Sequence, residues 1–159
     1  MKKLARLTAL LLTGVMLLLL ASCGAAPLTP EQQARQEIFN AINEVRKDKG
    51  MPSLREVPKL TQLEQEFIEH FREAGTNGIP NSEARKLEEE LYNKQKEAGW
   101  QFTGGITYSY SVSSAKLGNV YEGDTEAFRK MLSIFSVEDA STALSIGVVT
   151  IEGKIYWTA

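Results

Sequence analysis

The apolar residues of this chain change their spacing part-way along, and that change limits the folds open to it. Between residues 30 and 98 they recur every three or four positions; from residue 106 they alternate with polar ones. The first spacing lays a stripe along one side of a helix, and the second gives a strand one buried face. Helices must therefore pack on a sheet. A chain of 159 residues can do this around one core without help from disulfides or metal.

The first stripe is Ala34, Ile38, Ala41, Ile42 and Val45, in "LTPEQQARQEIFNAINEVRKDKG". Thr29 with Gln32 three residues later forms a capping-box pattern, Pro30 suits the first helical position, and Gly50 ends the helix. After a loop, "MPSLREVPKL", a second stripe runs through Leu60, Leu63, Phe67, Ile68 and Phe71 and closes at Gly75. A third starts at Ser82 and carries Ala84, Leu87, Leu91 and Ala98 before Gly99. Glu88, Glu89 and Glu90 beside it read as a solvated face with lysine partners such as Lys94.

In "GITYSYSVSS" the residues Ile106, Tyr108, Tyr110 and Val112 alternate with Thr107, Ser109, Ser111 and Ser113. This places Tyr108 and Tyr110 on one side of a strand, as candidate lining of a ligand cleft, although packing against helices is the commoner use of such a face. "NVYEGDTEAF" reads as a turn and helix start, with Phe128, Met131, Leu132 and Phe135 on a short amphipathic helix. In "ALSIGVVTIEGKIYWTA" two β-rich runs flank Glu152-Gly153, the pattern of a tight hairpin. The expected fold is α+β: helices on a small antiparallel sheet in a layered α-β-α arrangement, with a C-terminal hairpin, residues 29 to 159 forming one domain.

What precedes that domain has another character. "MKKLAR" holds Lys2, Lys3 and Arg6 without an acid, and the chain is then almost purely apolar from Leu7 to Leu20. The run is shorter than the roughly 20 residues of a membrane-spanning helix and no basic cluster follows it, so it reads as a cleavable secretion signal. Leu20-Ala21-Ser22-Cys23 resembles the bacterial lipobox, in which the cysteine is alkylated by diacylglycerol and the signal is cut just before it. The resemblance implies a signal peptide over residues 1 to 22, lipid attachment at Cys23 and a lipidated tether over 23 to 28. Cys23 is the only cysteine, and an exported unpaired thiol is a liability that acylation removes. Each buried methylene contributes about 0.8 kcal/mol, so acyl chains on Cys23 would hold the protein on a membrane almost permanently. The location implied is the bacterial cell envelope, on the extracytoplasmic side. In an organism with two membranes, Gly24, where an Asp would bear on sorting, resembles the pattern that permits transfer to the outer one; the sequence leaves the choice of membrane open.

Removing Lys2, Lys3 and Arg6 from the eighteen Lys and Arg leaves fifteen against twenty acids, a formal charge of −5. That balance argues against nucleic acid as a partner and against charge-driven binding to anionic lipid.

"NAINEVRKDKGMPSLREVPKLTQLEQEF" is similar to the opening of the CAP superfamily, or SCP-like proteins. The matching residues are Asn43 and Arg46 as Asn-x-x-Arg, then Gly50, Pro52, Leu54 and Leu60. "LSIGVVTIEGKIYW" resembles that family's last hairpin. Many members carry a tetrad of two histidines and two glutamates able to bind a divalent metal. This chain has one histidine, "GTNGIPNSEA" follows the second helix where the first tetrad histidine should stand, and "GGITYSYS" replaces the family's Gly-Glu-Asn segment. No metal site and no cofactor are expected.

Other chemistries have equally little to stand on. His70 has Glu66, Glu69 and Glu73 at helical spacing and reads as a surface or half-buried histidine paired with glutamate. Ser113, Ser114 and Lys116 lie at a strand end, which does not supply the geometry of a serine-lysine dyad. The sequence contains no Gly-x-Ser-x-Gly elbow, phosphate-binding glycine loop, Cys-x-x-Cys or His-Glu-x-x-His. The resemblance implies a non-catalytic module binding an apolar ligand or an envelope partner. The alternative is an envelope hydrolase with non-standard carboxylates, such as Glu122 with Asp124 or Glu138 with Asp139, one of them raised in pKa.

Overall fold

The computed structural model describes residues 27–101, 109–110, 113–136 and 141–159. Its α-helices are α1 (Pro30–Asp48), α2 (Pro58–Ala74), α3 (Asn81–Glu97) and α4 (Glu126–Met131), the last running into a 3-10 helix at Leu132–Ser136. The strands are β1 (Arg55–Glu56), β2 (Ile79–Pro80), β3 (Ser109–Tyr110), β4 (Ser114–Lys116), β5 (Val120–Tyr121), β6 (Ala143–Leu144), β7 (Gly147–Ile151) and β8 (Lys154–Thr158). This is a mixed α+β fold. Among the described residues no helix is long and apolar enough to cross a membrane.

Local chemistry sets the helix ends. At α1 the capping box is complete: Thr29 Oγ1 accepts from the Gln32 amide at 3.2 Å, and the Thr29 amide donates to Gln32 Oε1 at 2.9 Å. Pro30 occupies the first turn, where its missing N–H costs nothing. Thr125 caps α4 by accepting from the Phe128 amide at 3.1 Å.

The largest ladder is the antiparallel β7–β8 hairpin, in register from Gly147 opposite Thr158 to Ile151 opposite Lys154. Its two-residue turn has φ of 49° at Glu152 and 77° at Gly153, both positive, as a turn matching the strand twist requires. β5 pairs with the other side of β8, giving the order β5-β8-β7. Smaller pairings join β1 to β6 in parallel and order β2-β4-β3 antiparallel.

Successive residues of a strand face opposite ways, and this sheet buries both faces. Val148 and its cross-strand partner Trp157 lie in one cluster with Ile38 and Ile42 of α1 and Phe128 of α4. Val149 and Ile151 lie in the other with Phe67, Ile68 and Phe71 of α2, and Leu87 and Leu91 of α3 pack against it. The free edge of β7 is closed by side chains. The Gln65 amide exchanges two hydrogen bonds with Val148, at 2.8 and 3.0 Å, and Glu31 Oε1 accepts from the Thr150 amide at 2.6 Å. An edge covered in this way offers no template to another strand.

Several expectations need correction. The segment before α4 is not only a turn, because Val120 and Tyr121 form β5 against Tyr156 and Ile155. The loop after α1 contains β1, which pairs with β6. Strands of two residues carry no legible period. Ala98 is exposed beyond the end of α3, and Gln95 takes the buried position instead. The acidic face of α3 is as expected: Glu88, Glu89 and Glu90 are exposed, and Lys94 Nζ lies 2.8 Å from Glu90.

Candidate functional site

α2 starts at Pro58 directly after β1, and its positions 58, 61, 62, 65, 66 and 69 then fall on one side at helical spacing. With Arg35 of α1 and Glu56 of β1 they line a groove of about 480 Å³, within the range of roughly 300–1,000 Å³ usual for ligand sites. Thr61 Oγ1 donates to Glu56 Oε1 at 3.2 Å, Gln62 Nε2 to Glu66 Oε1 at 2.8 Å, and Gln65 Nε2 to Glu69 Oε1 at 2.7 Å. Arg35 stands 3.9 Å from Glu56. The polar groups are thus largely engaged with one another, and most of the exposed wall is carbon from Pro58 and the stems of long side chains. The wall is therefore mainly apolar, with an acidic rim.

At one end of the groove Arg72 joins three elements. Its Nε donates to Glu69 at 2.5 Å and its Nη2 to Glu31 at 2.9 Å. Burial pushes Glu31 upward, but the bonds from Arg72 and Thr150 outweigh it and hold the carboxyl below the ordinary carboxylate value. The hydrogen bond from Arg72 does the same for Glu69. Both are anions at neutral pH.

The residues of the Asn-x-x-Arg motif brace the backbone. Asn43 Nδ2 donates to the Leu54 carbonyl at 3.1 Å and its Oδ1 accepts from the Leu54 amide at 2.7 Å. Arg46, 1% exposed, donates from Nε to Pro52 O at 2.9 Å and from Nη1 to Phe135 O at 2.8 Å. The end of α1 thereby fixes both the loop leading to β1 and the 3-10 helix after α4.

Of the carboxylates named as hydrolase candidates, two lie within the described residues. Glu122 and Asp124 are exposed, and Arg129, bonded to Asp124 at 2.5 and 2.7 Å, lowers that carboxyl. Glu138 and Asp139 lie outside the described residues, as do Cys23 and Tyr108. Tyr110 enters through its backbone, paired with Ala115. His70 is exposed, beside a shallow hollow that also takes in Glu66, Glu90 and Lys94. Among the described residues no three His, Cys, Asp or Glu gather closely enough to hold a metal ion.

The raised carboxyl is elsewhere. Glu64 of α2 is 3% exposed, and burial pushes its carboxyl up to about 7 against the opposing pull of the Thr158 and Ser145 hydroxyls. Those hydroxyls stand nearby, yet neither Glu64 Oε1 nor Thr158 Oγ1 has a protein partner in hydrogen-bonding geometry. Sequence reasoning passed over this residue. The signal was present: an acid between Leu63 and Phe67, inside the apolar stripe of α2. No protein-family model matches the chain, and no curated protein or solved structure matches it either.

Proposed function

We propose that this chain is a bacterial envelope lipoprotein, anchored through Cys23, whose folded body is a non-catalytic binding module. The observation that carries the reading is Leu20-Ala21-Ser22-Cys23 at the end of the apolar run, with the chain's single cysteine at the position where a lipid would be attached. A tether of residues 23 to 28 keeps the body beside the bilayer.

A divergent CAP-like domain is part of the proposal. Its support is the bracing by Asn43 and Arg46 and the burial of both faces of the β5-β8-β7 sheet by helices. The binding surface proposed is the groove between α1 and α2, in place of the cleft expected at Tyr108 and Tyr110. Its occupant is an apolar ligand or a segment of an envelope protein, held by contact with carbon along the wall.

The test is purification from membranes in mild detergent, with mass spectrometry of what comes with the protein, for the natural chain and for Gln62→Trp, which fills the groove. A lipid or protein recovered with the natural chain and reduced at least about tenfold by the substitution is the expected result. Equal recovery from both, or turnover of an envelope substrate by the purified chain, would refute it.

A further inference from the structure

We propose that Glu64 is a proton-operated latch between α2 and the β7–β8 hairpin: it is neutral while the helix is seated, and loss of its proton loosens the helix from the strand.

The seam around Glu64 is tight. A Cβ at Gly147 would stand 2.8 Å from the Glu64 carbonyl oxygen, 3.0 Å from Ile68 Cγ2 and 3.1 Å from Thr158 Oγ1. Only glycine lets the helix backbone come this close. The side chains that meet the carboxyl are the hydroxyls of Thr158 on β8 and of Ser145 before β7, and no charged group contributes to its ionisation. A carboxylate here has too few donors for two oxygens, whereas the neutral acid accepts and also donates. The Ser145 oxygen can accept its O–H, while Thr158 Oγ1, without a partner in hydrogen-bonding geometry, is a second oxygen close to the carboxyl. The proton therefore supplies a hydrogen bond that the anion lacks.

Ionisation leaves a buried anion without a counter-charge, a state relieved by letting water in. The contact that would give way lies one residue from Gln65, whose amide covers Val148 on the edge of β7. Loosening α2 at Glu64 thus uncovers the edge. The unfolded chain ionises this group at the ordinary value of 4.5 and the folded one at about 7. Between these values the folded state holds a proton that the unfolded state has lost, so stability falls as pH rises through the window and is greatest below it.

The test uses the full chain in detergent, with a carbon-13 label on glutamate carboxyls and amide exchange read at Val148, from pH 5 to pH 8. One carboxyl should titrate between pH 6 and pH 8 and vanish in Glu64→Gln. Protection at Val148, corrected for intrinsic exchange, should fall at least about tenfold over this range in the natural chain and stay level in the variant. If Glu64→Gln does not fold, the titration of the natural chain decides. A Glu64 carboxyl titrating near 4.5, or parallel protection profiles in the two chains, would overturn the latch.

Discussion

Arg46 and Glu64 are both ionisable, both sealed in the body at 1% and 3% exposure, and handled in opposite ways. The Arg46 guanidinium donates to the carbonyls of Pro52 and Phe135, so its charge organises backbone from two distant stretches. Glu64 meets only hydroxyls and keeps an oxygen unpartnered. A buried charge must find partners or give up its charge. Where partners exist the group becomes a brace; where they do not, protonation and packing become one equilibrium. On the latch proposed for Glu64, the difference separates a brace that holds at every ordinary pH from a contact that responds to it.

The strongest challenge to that contrast is Arg46→Ala. It removes a donor from the carbonyls of Pro52 and Phe135, the second of these bonds buried, and should cost about 3 kcal/mol or more, read from urea unfolding. A loss below about 1 kcal/mol would mean that Arg46 is no brace. Asn43→Ala removes the bonds to both backbone groups of Leu54 and should cost about 2 kcal/mol in the same measurement. Glu64→Gln should go the other way, with a gain of about 1 kcal/mol at pH 8 that disappears by pH 5, because the glutamine amide avoids the anion yet brings donors of its own. A loss at both pH values would place Glu64 with Arg46 as a fixed brace.

The elements with a full period were legible in the sequence. The stripes of α1 and α2, the capping box at Thr29 and the Glu152-Gly153 hairpin lie where spacing and turn chemistry put them. The two-residue strands were not, since Arg55–Glu56 and Ala143–Leu144 are set by each other across the fold. Arg46 stood beside Val45 at the end of a stripe, and nothing in its spacing announced the carbonyls of Pro52 and Phe135. The groove was hidden for a related reason: Arg35, Gln62 and Gln65 are polar in sequence and become a carbon wall only when α1 and α2 lie side by side. Glu64 alone was visible and overlooked, an acid within an apolar stripe.

The body described here has a role in an envelope only if Cys23 holds it to a membrane. The intact mass of the protein extracted from its native membrane tests this most directly. The account predicts a chain that begins at Cys23 and carries the added mass of a diacylglyceryl group. A chain still bearing residues 1 to 22, or one with a free thiol at Cys23, would contradict it.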